Sequence, residues 1–327
     1  MLDVIVIGAG PIGLACGIAA KRRGLDALLI EKGALVNSLT GYPTNMEFFS
    51  TPDLLEIGGH PLPTAGYKPI REEALDYYRR VAAAEQLKIN LYERVLGLEG
   101  EDGNFIVVTN RDRYACRKVV AATGFFDVPN LMGIPGEDLP KVTHYYKEPY
   151  AYVGQEVAVI GAKNSAAKAA LDCARHGAHV TLIVRGSEIS PSVKYWIKPD
   201  LENRIKEGKI RAFFNTCVEE ITPTSLHLAT ADGPTEIAND WVLALTGYRP
   251  DYTFLTALGV TFADDPARSP LHDETTFETE RAGLYLAGTV NGGLNTSKWF
   301  IENARFHADH IMDDIAQKVG TGTAIVN

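Results

Sequence analysis

Gly8, Gly10 and Gly13 stand at G-x-G-x-x-G spacing near the start of the chain, and an acid follows at Glu31. In a strand–turn–helix setting each has a task. Gly8 allows the tight turn, Gly10 lets backbone approach a pyrophosphate, and Gly13 lets helix and strand pack closely. A helix beginning at Pro11 and Ile12 would point unpaired N–H groups and a partial positive charge at the phosphates. Glu31 can accept hydrogen bonds from ribose hydroxyls, with Lys32 beside it. Cys16 lies in the same stretch and raises the question of a redox thiol.

The elements that must position these residues are legible. Residues 4–7 (VIVI) form a short, β-branched apolar run, as for a strand buried on both faces of a parallel sheet. A helix is predicted over 11–23, Gly24 breaks it, and 27–30 (ALLI) reads as the next strand. The unit recurs: 157–161 (VAVIG) reprises 4–8, a helix is predicted over 165–175, and a strand over 180–184 ends at Arg185. An acid at the strand end pairs with ribose hydroxyls and repels a 2′-phosphate, whereas arginine binds that phosphate. The first site therefore suits FAD and the second NADPH. The second turn reads Gly161-Ala162-Lys163-Asn164-Ser165-Ala166, with a lysine where the second glycine belongs. Lys163 can offer its ammonium to a phosphate, and Asn164 and Ser165 add side-chain donors. Two further strands end in Thr-Gly, at Thr123-Gly124 and at Thr246-Gly247, and a late strand runs into Gly288. Asn295, Thr296 and Ser297 read as the cap of a final amphipathic helix reaching about Ile315.

Bulk properties bound the function. At 327 residues the chain can hold two domains, and its net charge of −9 argues against a nucleic-acid binder. Residues 4–20 are almost uncharged, but the basic cluster KRR follows them, whereas a signal peptide carries its charge in front. No membrane span is expected. The cysteines, Cys16, Cys116, Cys173 and Cys217, are far apart with no C-x-x-C, as in a cytoplasmic protein with reduced thiols. No metal site is expected. His307 and His310 are read as ordinary surface histidines on a helix. Cys16 is read chiefly as core packing, a low-ranked candidate for catalysis, so the catalytic residues stay unassigned.

By these residues the chain resembles the two-dinucleotide-binding flavoprotein reductases, which include thioredoxin reductases and thioredoxin-reductase-like ferredoxin–NADP reductases. Within them it is most similar to the bacillithiol disulfide reductase (YpdA) family. The resemblance covers essentially the whole chain and is carried by GYPT at 41–44, FFS at 48–50, HYYKE at 144–148, GAKNSA at 161–166, GYRPD at 247–251 and FIEN at 300–303. It implies an α/β fold of two Rossmann-like domains: an FAD domain of 1–124 and 250–327, with an NADPH domain of 125–249 inserted. It also implies that the stretches at Tyr42–Thr44 and Asn295–Ser297 approach the flavin, with Asn295 and Thr296 donating to its N1–C2=O edge.

Two family features are absent. The usual Gly-Asp reads Gly288-Thr289, and the single cysteine of the family's glycine loop is Ile12 here. The function implied is an NADPH-dependent FAD oxidoreductase serving redox homeostasis, with a low-molecular-weight disulfide such as bacillithiol disulfide as acceptor. The alternative is a ferredoxin or flavodoxin reductase that passes electrons to a redox protein. A homo-oligomer is the family expectation.

Overall fold

The structure, a computed structural model, describes residues 1–320. The chain divides into two compact units. Of the described residues, one unit comprises Met1–Thr40, Met46–Val128 and 248–320; the other comprises Gly41–Asn45 and Pro129–Gly247. The division thus falls at 128/129 and 247/248, against the expected 124/125 and 249/250. The short segment Gly41–Asn45 groups with the second unit, through a hydrogen bond from the Thr44 N–H to the Lys147 carbonyl at 2.9 Å.

The first unit opens with β1 (Leu2–Ile7), α1 (Pro11–Arg22) and β2 (Ala27–Ile30). Short helices α2 (Asn37–Thr40) and α3 (Pro52–Leu55) precede α4 (Arg71–Ala84). The strands β3 (Ile89–Asn90), β4 (Val95–Glu101), β5 (Asn104–Thr109) and β6 (Arg113–Ala121) follow. The second unit holds β7 (Val142–Thr143), β8 (Glu156–Ile160), α5 (Asn164–Arg175), β9 (His179–Ile183), α6 (Lys198–Lys206) and β10 (Ile210–Phe213). It continues with β11 (Cys217–Ile221), β12 (Ser225–Thr230), β13 (Gly233–Ala238) and β14 (Trp241–Ala244). The chain then returns to the first unit as α7 (Tyr252–Ala257), β15 (Leu284–Leu286), α8 (Ile301–Ala304) and α9 (His307–Val319).

In the first unit β1 is central, with β2 and β6 parallel on either side; β15 joins β6 in parallel, and the β4–β5 hairpin adds antiparallel to β6. In the second unit β8 is central, with β9 and β14 parallel on either side. An antiparallel sheet, β11-β12-β13, shares a core with the parallel one, through residues such as Val218, Leu226 and Leu228 beside Ala158, Ile183 and Val242. Each unit is therefore an α/β Rossmann-like layer built on one supersecondary pattern.

Helix α1 has no polar face until its last turn: every residue from Pro11 to Ala20 is buried. The sheet covers one side of it, and α9 lies along it, joined by Arg23 ion pairs to Asp313 at 2.7 Å and Asp309 at 3.2 Å. A helix buried all round is apolar all round, and each fully covered Leu14 or Ile18 stabilises the fold by about 2 kcal/mol.

The end of the chain departs from expectation. Asn295, Thr296 and Ser297 do not cap a helix. Asn295 Oδ1 accepts the Ser297 N–H at 3.3 Å in a local turn, and the chain runs extended into Phe300 before α8 begins at Ile301. It is the Asn303 side chain that takes the Phe300 N–H, at 2.7 Å. The single final helix of the sequence reading is thus two, α8 and α9, separated at Arg305 and Phe306.

Candidate functional site: two glycine turns

The two turns are built alike. Gly8 and Gly161 each leave the central strand at positive φ, +108° and +140°. A Cβ at Gly8 would lie 2.6 Å from the Ala122 carbonyl oxygen, and one at Gly161 would lie 2.5 Å from that of Leu245. Backbone bonds match as well: Gly8 N–H donates to Ile30 at 2.8 Å and Gly161 N–H to Ile183 at 3.1 Å. Only glycine combines that φ with that approach.

In the first turn, a Cβ on Gly13 would fall 2.0 Å from the Gly8 oxygen, so α1 seats directly on the turn. Gly10 faces open space, with no heavy atom near the place a Cβ would take. Pro11 starts the helix at N1, where its missing N–H costs no bond. Ile12 is 7% exposed. Glu31, almost fully buried, is held by two backbone donors, Ala9 N–H on Oε2 and Gly33 N–H on Oε1, both at 2.9 Å. Burial raises its pKa, and these two N–H groups oppose the shift. Lys32, placed at the cofactor by the sequence, is engaged by Asp127 at 2.8 Å. Thr123 carries a buried hydroxyl with no hydrogen-bond partner among the described residues, next to Gly124 on the strand beside the turn. An open backbone cradle, a fixed acid and an orphaned hydroxyl fit a dinucleotide.

The second turn keeps its side chains outward. Lys163 and Ser165 are exposed, and so is Arg185 at the end of the following strand, with no bond to its guanidinium among the described residues. Asn164 behaves differently. Its Nδ2 donates to the Ser192 carbonyl at 3.1 Å and its Oδ1 accepts the Lys194 N–H at 2.9 Å. With Ser190 N–H on Ala162 at 3.1 Å, these bonds strap residues 190–194 to the turn. Asn164 is a loop anchor, and Lys163 and Arg185 are the cations left facing water.

Tyr42 and Thr44 lie in the second unit and Asn295 and Thr296 in the first, the latter pair in a turn rather than at a helix start. Gly288 sits in the first unit at φ +88°, with Ile12 packed against it.

Three of the four cysteines are closed to thiol chemistry. Cys16 is 0% exposed, and burial pushes its thiol up to about 12. Cys116 and Cys173 are buried and likewise raised to about 12. Cys217 is exposed on β11. A thiol at such a pKa offers almost no thiolate at neutral pH.

One residue was misread. His307 is 2% exposed, not a surface histidine, and burial lowers its pKa to about 4. The signal was present: His307, Ala308, Ile311, Met312, Ile315 and Ala316 share one buried face of α9 at helical spacing.

Comparison with known proteins agrees with this architecture. The pyridine nucleotide-disulphide oxidoreductase model matches residues 5–288. Bacilliredoxin reductase Bdr of Bacillus subtilis (strain 168) is 44% identical over 316 residues, covering 96% of this chain and 97% of that protein. Among solved structures, the bacillithiol disulfide reductase Bdr (YpdA) of Bacillus cereus superposes with a TM-score of 0.94 at 41% identity, over 97% of this chain and 99% of that one. Its counterpart from Staphylococcus aureus gives 0.94 at 40%, over 97% and 98%. With the repeated turn and this full-length likeness together, the chain belongs to the pyridine nucleotide-disulphide oxidoreductases, and within them to the Bdr (YpdA) family.

Proposed function

We propose that this protein is an NADPH-dependent flavoprotein that reduces a low-molecular-weight disulfide, bacillithiol disulfide in the first instance. The observation that carries the reading is the pair of turns with opposite charge at the strand end, Glu31 fixed inward and Arg185 free outward. Two similar enzymes, from Bacillus cereus and Staphylococcus aureus, are named for bacillithiol disulfide.

FAD would be held by Gly8, Gly10, Pro11, Ile12, Gly13, Glu31, Thr123, Gly124 and Gly288, and NADPH by Gly161, Lys163, Ser165 and Arg185, with Asn164 anchoring the 190–194 loop beside them. When bound, FAD supplies a two-electron carrier between a nicotinamide hydride and a disulfide. The chain's own residues bind and orient. Glu31 receives ribose hydroxyls, Gly10 lets phosphate meet backbone, and Arg185 pairs with a 2′-phosphate. The overall reaction balances: NADPH gives up two electrons and a proton as hydride, one further proton comes from solvent, the S–S bond breaks as it accepts the electrons, and two thiols and NADP⁺ result. With three thiols buried and raised to about 12, and no C-x-x-C, the disulfide is reduced without a thiol relay through Cys16.

All four cysteines are free, in keeping with a reducing cytoplasm, and no helix among the described residues is long and apolar enough to cross a membrane.

The experiment is anaerobic NADPH consumption by the FAD-loaded protein, with bacillithiol disulfide as sole acceptor. The expected result is one NADPH consumed and two thiols formed per disulfide. A flavin that NADPH bleaches but that bacillithiol disulfide does not reoxidise would contradict the reading. The name of the Bacillus subtilis relative points to a second acceptor, a bacilliredoxin, and a parallel assay with that acceptor separates the two.

A further inference from the structure

His307 opens α9, and its Nδ1 faces two groups: the backbone N–H of Gly288 at 3.1 Å and the Asn291 side-chain amide at 3.2 Å. The Gly288 N–H can only donate, so Nδ1 is an acceptor and the ring proton sits on Nε2. Asn291 Nδ2 also donates to the Leu286 carbonyl at 3.0 Å, which sets the amide's orientation. Both side chains are nearly sealed from water, His307 at 2% and Asn291 at 1% exposure. His307 Nε2 and Asn291 Oδ1 have no hydrogen-bond partner among the described residues. Phe277 stacks on the imidazole at 4.0 Å and Trp299 meets it edge-on at 4.5 Å. On the other side of Gly288, a Cβ would sit 3.2 Å from the Ile12 side chain, so this turn lies directly against the glycine turn of α1.

We propose that His307 is a positioning residue for the flavin site: as a neutral imidazole it holds the Gly288 N–H and the Asn291 amide, fixing residues 288–292 against Ile12, and its protonation releases that turn and the flavin. The proposal rests on the reading that the first turn holds FAD. A protonated imidazole carries a proton on both nitrogens, so it would present N–H to the Gly288 N–H and the Asn291 amide, and both bonds would be lost.

The surroundings favour the neutral form. Burial, then the positive charges of His272, His310 and Lys298, lower its pKa to about 4. Nearby acids are engaged elsewhere: Asp309 in the first turn of α9 pairs with Arg23 at 3.2 Å, and Glu302 of α8 accepts the Ser50 hydroxyl. No carboxylate forms an ion pair or hydrogen bond with the ring among the described residues.

The test compares the native protein with His307→Leu and His307→Asn, reading FAD dissociation by flavin fluorescence from pH 7.5 to 3. Circular dichroism monitors the fold. In the native protein FAD affinity should hold from pH 7.5 to about pH 5 and weaken by about tenfold toward pH 3, one unit below the His307 pKa of about 4. His307→Leu should bind FAD about tenfold more weakly already at pH 7.5. An asparagine Oδ1 can take the Nδ1 place without titrating. His307→Asn should therefore stay within about threefold of native at pH 7.5 and lose most of the acid release. Native-like FAD affinity in His307→Leu, or native-like acid release in His307→Asn, overturns the proposal. If the leucine variant does not fold, the pH profile of the asparagine variant decides alone. A native protein that takes up no FAD at pH 7.5 overturns the flavin reading and the proposal with it.

Discussion

The two glycine turns begin with the same pair, Gly-Ala, and part at the third residue. Gly10 leaves open space where Lys163 extends an exposed cation; Pro11 is buried where Asn164 reaches out to hold residues 190–194; Gly13 touches backbone where Ala166 carries a methyl. At the strand end, Glu31 is buried and bonded to two backbone amides, while Arg185 stands in solvent. One topology thus yields a closed turn whose polar groups are preset and an open one whose charges await a partner. A preset site costs little to order on binding, which suits a resident cofactor. An open, cationic site suits a phosphorylated cofactor that must come and go on each turnover.

Exchanging the sixth residue tests that difference most severely. Gly13→Ala sets a Cβ 2.0 Å from the Gly8 oxygen, and should cost about 3 kcal/mol or more in thermal or urea unfolding together with loss of FAD. Its mirror, Ala166→Gly, should cost no more than about 1 kcal/mol, the helix propensity difference. Equal costs would mean that the two turns are packed alike.

Acid should act on the first unit. Unfolding returns His307 from about 4 to its ordinary 6.5, so between those values the unfolded chain takes up the proton more readily and stability falls as pH falls. The loss should reach about 3 kcal/mol near pH 4 and be absent above pH 6.5. His144, His176, His179 and His227 of the second unit all keep contact with water. An unfolding midpoint followed over pH, with His307→Asn as control, checks this; an unchanged slope in the variant would assign the loss to other groups.

The strand-end charge is the next difference. Arg185→Glu replaces the exposed cation beyond the second strand with an acid and should raise the KM for NADPH about 100-fold, with kcat and the NADH parameters far less affected. An unchanged NADPH preference would remove Arg185 from the phosphate site.

Much of this was legible because a parallel strand buried on both faces reads as a short apolar run, and a glycine turn with a charged strand end follows it at fixed spacing. Residues 4–7, 27–30 and 157–160 all fall within observed strands; Ile30 pairs with Ile7 as Ile183 pairs with Ile160, so Arg185 lies one position beyond the counterpart of Glu31, which is Val184. The hairpin β4–β5 and the sheet β11-β12-β13 escaped notice because their apolar alternation is broken by glycines and surface acids. The break between α8 and α9 was hidden because FIENARF is compatible with helix, and only the edge-on contact of Trp299 with His307 shows why the chain turns there. His307 was misjudged from its type: histidine suggests surface, yet the apolar spacing of α9 put it inside. The strap from Asn164 to residues 192–194 joins positions some thirty apart, which no local pattern reveals.

The smallest expected effect bears on the central claim, that the disulfide is reduced without a protein thiol in the first turn. Cys16→Ala should cost about 1–2 kcal/mol of stability through the small cavity it leaves. The measurement is turnover of NADPH with bacillithiol disulfide by this variant, loaded with FAD, under anaerobic conditions. The account predicts a kcat within about twofold of the native protein, since a buried thiol at a pKa near 12 takes no part. Loss of turnover in a variant that still binds FAD and is still bleached by NADPH would contradict it and make Cys16 the thiol through which the electrons pass.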